Sequence, residues 1–192
     1  MRRLTPLLLL VCLCACGTVH SPVPFGHEAF ALDPAEWNGT WCAASAVLVS
    51  ASAPLTAESE SACVRVTVVD PAAGMIDVQV PPEGDDPPAL VRVYLGALDG
   101  KGTEAFLWKE GDGDFEFLGR VRRDGNLLTE WNVRDAAFVE DVKAGRLPGR
   151  TEGSDAWLGA IDQSTAAMLA ADQPARFFDW RSPLTIVRVG DW

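Results

Sequence analysis

The central part of the chain alternates apolar and polar residues over short segments, and glycine- and proline-rich turns separate these segments. Successive side chains of a β-strand point to opposite faces of a sheet, so a period of two predicts half-buried strands. The predicted strands cover residues 41–50, 64–68, 76–80, 90–98, 104–109, 115–122 and 127–133. Because short turns connect antiparallel neighbours, we expect a mainly β fold in which an antiparallel meander closes into a small barrel or a sandwich.

Two short helices are expected between this meander and the last strand. Apolar residues recur at helical spacing over residues 135–144 and again over residues 165–171. Asp162 or Ser164 caps the second helix, because either side chain can accept a hydrogen bond from the free amide groups of the first turn. Residues 183–189 then return to strand character, so the helices form a minor α component of a β-rich fold.

The amino terminus has the pattern of an exported chain. Residues 1–3 include two arginines, and residues 4–13 are almost wholly apolar. This apolar run is shorter than the roughly 20 residues that a membrane-spanning helix needs, and it fits a secretory signal. The run ends in Leu-Cys-Ala-Cys-Gly over residues 13–17, which resembles the lipobox of bacterial lipoproteins.

The lipobox resemblance implies how the mature chain begins. Residues 1–15 are the signal peptide, and Cys16 receives a diacylglyceryl group and becomes the acylated first residue. Cys16 fits this position better than Cys14, because a small residue, Ala15, precedes it. Gly17 stands where lipoproteins of the inner membrane often carry aspartate, which implies a lipid-anchored, periplasm-facing place in the outer membrane. The alternative is an ordinary cleaved signal and release into the periplasm.

The mature chain is expected to consist of a tether and one domain. Residues 16–36 contain several prolines and glycines without apolar periodicity, so we expect the lipidated cysteine to begin a flexible tether. Residues 37–192 are long enough for a single β-rich domain with its own core. Loss of the signal peptide leaves 14 basic against 27 acidic residues, a formal net charge of −13. Nucleic acid and anionic lipid head groups are therefore poor partners.

Two cysteines remain in the mature chain after the anchor, Cys42 and Cys63. In an oxidising compartment, two cysteines of one domain are expected to form a disulfide. Such a bridge would tie the first two strands together and contribute about 3 kcal/mol through the loop that it closes. The alternative is a pair of buried free thiols.

The start of the predicted domain has the sequence Trp-Asn-Gly-Thr-Trp over residues 37–41. Its Gly39-x-Trp41 element resembles the start of the first strand in lipocalin-like proteins. The resemblance implies a barrel whose tryptophan closes one end and packs under a basic residue of a late strand, here Arg188. The chain departs from that family in two respects: it has no Thr-Asp-Tyr element before a middle strand, and its helices precede the last strand.

The positions of the histidines argue against several kinds of catalytic site. His20 and His27 both fall in the expected tether, so the predicted domain has no imidazole for Ser-His-Asp catalysis, Cys-His catalysis or a zinc site. Asp112, Asp114 and Glu116 could offer three oxygens to calcium, but the glycines around them suit a hairpin turn. We therefore predict no catalytic residue, no metal, no cofactor and no enzymatic activity.

The chain has seven tryptophans against one tyrosine. Trp41, Trp108 and Trp131 lie in or beside apolar strands, where they could line an aromatic pocket for a lipid or a saccharide. The alternative is that these side chains fill the core, since each can bury roughly 150–250 Å².

These features favour an envelope lipoprotein that acts as a non-catalytic binding module for an apolar or amphiphilic ligand. The alternative is an interaction or assembly lipoprotein that docks a larger envelope complex and takes no small ligand. The expected partners are the membrane, through the lipid anchor, and either an apolar ligand or an envelope protein.

Overall fold

The computed structural model describes residues 17–26, 28–44, 63–82, 87–98, 103–172 and 175–190. Its strands are β1 Val19–Ser21, β2 Glu28–Ala29, β3 Gly39–Ala43, β4 Cys63–Asp70, β5 Met75–Val80, β6 Ala89–Ala97, β7 Glu104–Glu110, β8 Phe115–Asp124, β9 Leu127–Asn132, β10 Gly149–Glu152, β11 Asp155–Leu158 and β12 Leu184–Gly190. Its helices are α1 Pro34–Trp37, α2 Asp135–Lys143 and α3 Gln163–Ala171. No helix within these ranges has the length and apolar character needed to cross a membrane.

Eight antiparallel strands close into a barrel. Strands β3 to β9 pair in chain order, and β12 lies between β9 and β3. Residues 184–187 of β12 pair with β9, while residues 186–190 pair with β3. The predicted antiparallel meander with two helices before the last strand is confirmed, and of the two shapes considered the chain adopts the barrel.

The inner wall of the barrel follows the alternation in the sequence. Val64 and Val66 of β4 are 4% and 6% exposed, whereas Arg65 and Thr67 lie on the exposed outer face. The inward side chains of the eight strands, joined by Trp37 at one end, form one apolar core. Because a slip by one residue would turn a whole strand's apolar set outward, this core fixes the register of the strands.

A second apolar core lies between the outer wall of the barrel and the remaining elements. β1 pairs with β8 of the barrel and with β11, and α2 and residues 177–178 pack nearby. Phe106 and Trp108 of β7 belong to this outer core, while Leu107 between them belongs to the inner one. The wall is therefore buried on both faces at β7, which explains the unbroken apolar run of residues 105–108.

Residues 17–36, which the sequence analysis assigned to a flexible tether, pack against the barrel over their described part. Val19 is fully buried in β1, and Phe25 packs edge-on against Trp108 with ring centroids 4.4 Å apart. Phe30 lies in the inner core beside Trp37. These apolar residues stand five or six positions apart among prolines and glycines, so each fills a separate gap without producing a strand or helix period.

An aspartate caps each end of helix α3. Asp162 accepts a hydrogen bond from the Thr165 amide at 2.7 Å, so of the two predicted caps it is the one used. At the other end Asp172 has a left-handed φ of 38° and is 4% exposed. Its carboxylate accepts hydrogen bonds from the backbone amides of Arg176 at 2.8 Å, Phe177 at 2.7 Å and Phe178 at 3.3 Å. It also accepts one from the indole Nε1 of Trp180 at 2.6 Å.

We expect Asp172→Asn to destabilise the segment that follows α3. Asparagine tolerates the left-handed conformation, but its amide nitrogen cannot accept the hydrogen bonds that Oδ2 receives from Phe178 and Trp180. Leaving buried donors unpaired should lower the free energy of unfolding by about 2 kcal/mol, measured by urea denaturation. Asp179→Asn, next to the same turn but half-buried, is the matched control, and equal stability of the two variants would contradict the role given to Asp172.

The disulfide between Cys42 and Cys63 is present, which confirms the predicted pairing over two free thiols. The two cysteines are directly opposite each other where β3 pairs with β4. The bridge therefore joins the first two barrel strands at the point where the chain leaves β3 and returns in β4, a sequence separation of 21 residues.

The double substitution of Cys42→Ala and Cys63→Ala should lower the free energy of unfolding by about 3 kcal/mol, because the unfolded chain regains the freedom of the open loop. Urea denaturation of the variant and of the native protein under non-reducing conditions measures the difference. Adding reductant should destabilise the native protein alone. If the variant and the oxidised native protein unfold at the same urea concentration, the bridge does not stabilise the barrel.

Candidate functional site

The barrel encloses a small apolar cavity of about 40 Å³. Ten aliphatic side chains, Trp37, Trp41 and Glu130 line it, and together they come from all eight barrel strands and α1. A cavity of this size holds about three water molecules, whereas pockets for drug-sized ligands measure about 300–1,000 Å³. In the conformation described, the interior therefore accepts a molecule of only a few non-hydrogen atoms.

Tryptophans close the end of the barrel at which β3 begins. Trp41 is 2% exposed and donates its indole N–H to the carbonyl of Trp37 at 2.9 Å. Arg188 of β12 pairs in register with Trp41 and donates from Nε to the carbonyl of Asn38 at 2.9 Å. A Cβ at Gly39 would lie 2.4 Å from the Gly190 carbonyl oxygen, so only glycine allows β3 and β12 to approach this closely here.

Glu130 is the ionisable side chain among the described residues that line the cavity. It shares the inward face of β9 with Leu128 and pairs with Val121 of β8 and Leu184 of β12. The side chain is 5% exposed, and burial raises the pKa of its carboxyl group from the ordinary 4.5 to about 7. No hydrogen bond or ion pair in the described part of the chain compensates for this burial.

An isolated buried carboxyl group is costly, because transfer from water disfavours its charged form unless a partner replaces the lost hydration. A valine or leucine at position 130 would complete the apolar wall at no such cost. A buried carboxyl group without a partner departs from the rule that buried charged groups are paired, and such departures are expected at functional sites. Glu130 therefore marks the cavity as the candidate site. The inward position of Glu130 is hard to read from the sequence, since Leu127 and Trp131 obscure the alternation around Leu128 and Glu130.

The structure does not bring together the three tryptophans that the sequence analysis proposed as a ligand site. Trp41 lines the cavity, but Trp108 and Trp131 lie in the outer core. Trp108 is fully buried, and Trp131 packs against Trp180 with ring centroids 5.0 Å apart. Both of these outer tryptophans fill the core, as the alternative interpretation held.

A histidine that the sequence analysis placed in a tether lies in the folded body. His20 is in β1, and its Nε2 and Nδ1 atoms lie 2.6 Å from the Thr18 hydroxyl and 2.9 Å from Asp114 Oδ2. The predicted absence of an imidazole from the folded domain is therefore wrong, since His20 lies between a hydroxyl and a carboxylate. The ring also stacks on Trp157 at 4.1 Å, with Arg150 over that indole. These contacts fasten β1 to the β7–β8 turn and to β11.

The acidic groups near this turn have separate partners. Asp114 faces His20, and Glu116 accepts a hydrogen bond from Lys109 at 2.7 Å. Burial, with the nearby charges of Glu116 and Asp155, raises the pKa of Asp135 to about 6. Within the described ranges, no three histidine, cysteine, aspartate or glutamate side chains are placed to hold a metal ion.

Cys16, the predicted lipidation site, lies outside the described residues. No family model matches the chain, and no curated protein or solved structure matches it either.

The raised pKa of Glu130 predicts that the protein loses stability as pH rises. Between about pH 4.5 and 7 the unfolded chain has released this proton and the folded chain retains it, so the unfolded state binds fewer protons. The free energy of unfolding should therefore decrease across this window, by about 3 kcal/mol when complete. Glu130→Gln, which cannot release the proton, should show a smaller decrease in urea denaturation at stepped pH.

Asp135 contributes a decrease of the same sign, so the informative quantity is the difference between the native protein and Glu130→Gln at each pH. Glu152→Gln, at an exposed site in β10, is the matched control for removing one negative charge. If Glu130→Gln and Glu152→Gln follow the same pH profile, the Glu130 carboxyl group titrates normally and is not isolated in the barrel.

Proposed function

We propose that this protein is an envelope lipoprotein, anchored through Cys16, whose barrel binds a small apolar or amphiphilic molecule without chemical catalysis. The observation that carries the binding function is the small apolar cavity inside the barrel, which Glu130 borders together with aliphatic side chains and two tryptophans. A barrel that only supported its own fold would gain stability from filling this space and from replacing Glu130 with an apolar residue.

The structure bears on how such an anchor would hold the barrel. Thr18 accepts a hydrogen bond from the Ala156 amide at 2.9 Å, and Val19 is fully buried. A Cβ at Gly17 would lie 2.3 Å from the Ser154 carbonyl oxygen, so the chain already touches the folded body at the residue after Cys16. This contact supports a barrel held close to the membrane surface. The outer membrane, with the barrel facing the periplasm, is proposed from the lipobox-like residues 13–17, in which Gly17 follows the cysteine.

The anchor is tested by Cys16→Ser, with Cys14→Ser as the matched control. We expect Cys16→Ser to lose the acyl mass, because serine has no thiol to receive the lipid, whereas Cys14→Ser should keep it. Without acyl chains the Cys16→Ser protein should also leave the membrane fraction, since two or more chains are needed for stable anchoring. Mass spectrometry of the intact protein and sedimentation of membranes measure the two properties. Retention of acyl mass by Cys16→Ser contradicts the assignment of the anchor.

The binding function is tested with a panel of small apolar and amphiphilic molecules of about three or four non-hydrogen atoms, the size that the cavity holds as described. A ligand that binds the folded barrel should raise the unfolding temperature in proportion to its concentration over its Kd. Val78→Leu and Val121→Leu, alone and combined, reduce the space in the cavity and should abolish the shift. If no member of the panel stabilises the native protein more than these variants, the barrel is not a binding module, and the assembly function becomes the better proposal.

A further inference from the structure

A hydroxyl, an imidazole and a carboxylate meet where β1 pairs with the start of β8. The Thr18 hydroxyl lies 2.6 Å from Nε2 of His20, and Nδ1 of the same ring lies 2.9 Å from Oδ2 of Asp114. A nucleophile, a base and a group that orients the base, each within hydrogen-bond reach of the next, have the geometry of an activated hydroxyl. None of these residues lines the barrel cavity, so the arrangement is separate from the site described above.

The imidazole of His20 is held in the orientation that this role needs. Its ring stacks on the Trp157 indole, with centroids 4.1 Å apart and planes 9° from parallel. A carboxylate that faces Nδ1 favours the tautomer with its proton on that nitrogen, which leaves the Nε2 lone pair to accept the hydroxyl proton of Thr18. The side chains of His20 and Asp114 are 18% and 20% exposed, so water reaches the site.

The peptide bond between Gly17 and Thr18 lies next to this hydroxyl. A threonine hydroxyl and the carbonyl carbon of the preceding residue can close a small ring, so no separate substrate has to bind. The Thr18 amide donates to Asp155 Oδ1 at 2.9 Å, and the Thr18 carbonyl accepts from the Ala156 amide at 2.9 Å. A Cβ at Gly17 would meet the Ser154 carbonyl oxygen, so this residue is confined as well. The folded body therefore holds this bond in one place.

We propose that this protein cleaves its own chain between Gly17 and Thr18 once it has folded. Thr18 and His20 are the catalytic residues, and Asp114 is a positioning residue that acts through His20. The arrangement forms only when β1 has paired with β8 and β11, so the unfolded chain does not react. Each chain reacts once on itself, so the binding function of the barrel is independent of this reaction.

The reaction has two steps, and the atoms of both balance. His20 Nε2 takes the hydroxyl proton of Thr18 as the oxygen attacks the carbonyl carbon of Gly17. The bond from that carbon to the Thr18 nitrogen then breaks, and the nitrogen takes the proton from His20, which leaves an ester and a free amino group. In the second step His20 removes a proton from the water that attacks the ester, and the Thr18 oxygen leaves with that proton. The sum is the hydrolysis of one peptide bond.

The position of this bond gives the reaction a consequence that rests on the anchor proposed above. Gly17 follows Cys16, so cleavage would leave an acylated dipeptide in the membrane and free a barrel that begins at Thr18. The anchored barrel would then be the precursor of a released one. Thr18→Val should therefore increase the share of the barrel in the membrane fraction.

Mass spectrometry of a secreted form tests the cleavage without the lipid. In this form an ordinary cleavable signal and a short peptide tag precede Gly17, so that the tested bond stays inside the chain. We expect the purified protein to separate into a tag that ends at Gly17 and a chain that begins at Thr18, with one water added. Hydroxylamine should speed this separation and leave a hydroxamate on Gly17, because it attacks the ester. Dilution should not change the rate, since the reaction is intramolecular.

Variants of the same form distinguish catalysis from folding. Thr18→Val should show no cleavage, whereas Thr18→Ser, which keeps a hydroxyl, should retain it. His20→Gln should slow cleavage at least about a hundredfold. Asp114→Asn should slow it at least about tenfold, while Asp112→Asn in the same turn should react as the native chain does. Urea denaturation shows that each variant is folded, and a purely structural role of Asp114 would not slow cleavage in a folded chain.

A folded native chain that keeps its full mass over several days would overturn this inference, as would cleavage of Thr18→Val at the same bond. Either result leaves the proposed binding and anchoring intact. Cleavage of the tagged form, together with absence of acyl mass from the full chain, would support the cleavage and contradict only the anchor.

Discussion

Strand β12 closes the barrel by pairing with both β9 and β3. Strands β3 to β9 form an open meander whose two edge strands would each leave a row of unpaired backbone groups. In the sequence, α2, β10, β11 and α3 separate the closing strand β12 from β9. Closure therefore joins the last barrel strand, β12, to the first, β3. Because these strands are far apart in the sequence, bringing them together costs loop-closure entropy that the pairing and burial must offset.

Closure also decides the chemistry of the interior. Once β12 is in place, the inner faces of eight strands surround a volume too small for bulk water, and the group on that wall that would prefer water is Glu130. The raised pKa of this carboxyl group follows from burial and not from a neighbouring charge. The outer core adds a second layer over β7 and β8, so that part of the wall is shielded from solvent on both sides.

Much of the barrel could be predicted from the sequence, because alternation directly reports a strand with one buried face. Val64 and Val66 showed this pattern, and the helices at 135–144 and 165–171 stood out by their different period. The chain around His20 and Phe25 could not be placed in the same way. β1 is three residues long, which is too short for a period of two to be recognised. Its partners β8 and β11 also lie far from it in the sequence.

The candidate site was harder to find than the fold. A glutamate on an otherwise apolar strand is visible in the sequence, but only the register of β9 between β8 and β12 shows that Glu130 faces inward. Trp41 was identified through the Gly39-x-Trp41 element, whereas Trp108 and Trp131 lie on the opposite side of the wall. Aromatic residues alone do not reveal which face of a two-sided wall they occupy.

The apolar interior of the barrel isolates the carboxyl group of Glu130 from most of the surrounding water. Carbon-13 NMR of the side-chain carboxyl carbon, assigned through Glu130→Gln and followed across a pH titration, measures this isolation directly. We expect a midpoint of about 7 for this carbon, because burial raises the pKa of the carboxyl group. A midpoint at the ordinary value of 4.5 would show that water or a cationic group reaches the carboxylate, and that the interior is not the apolar enclosure described here.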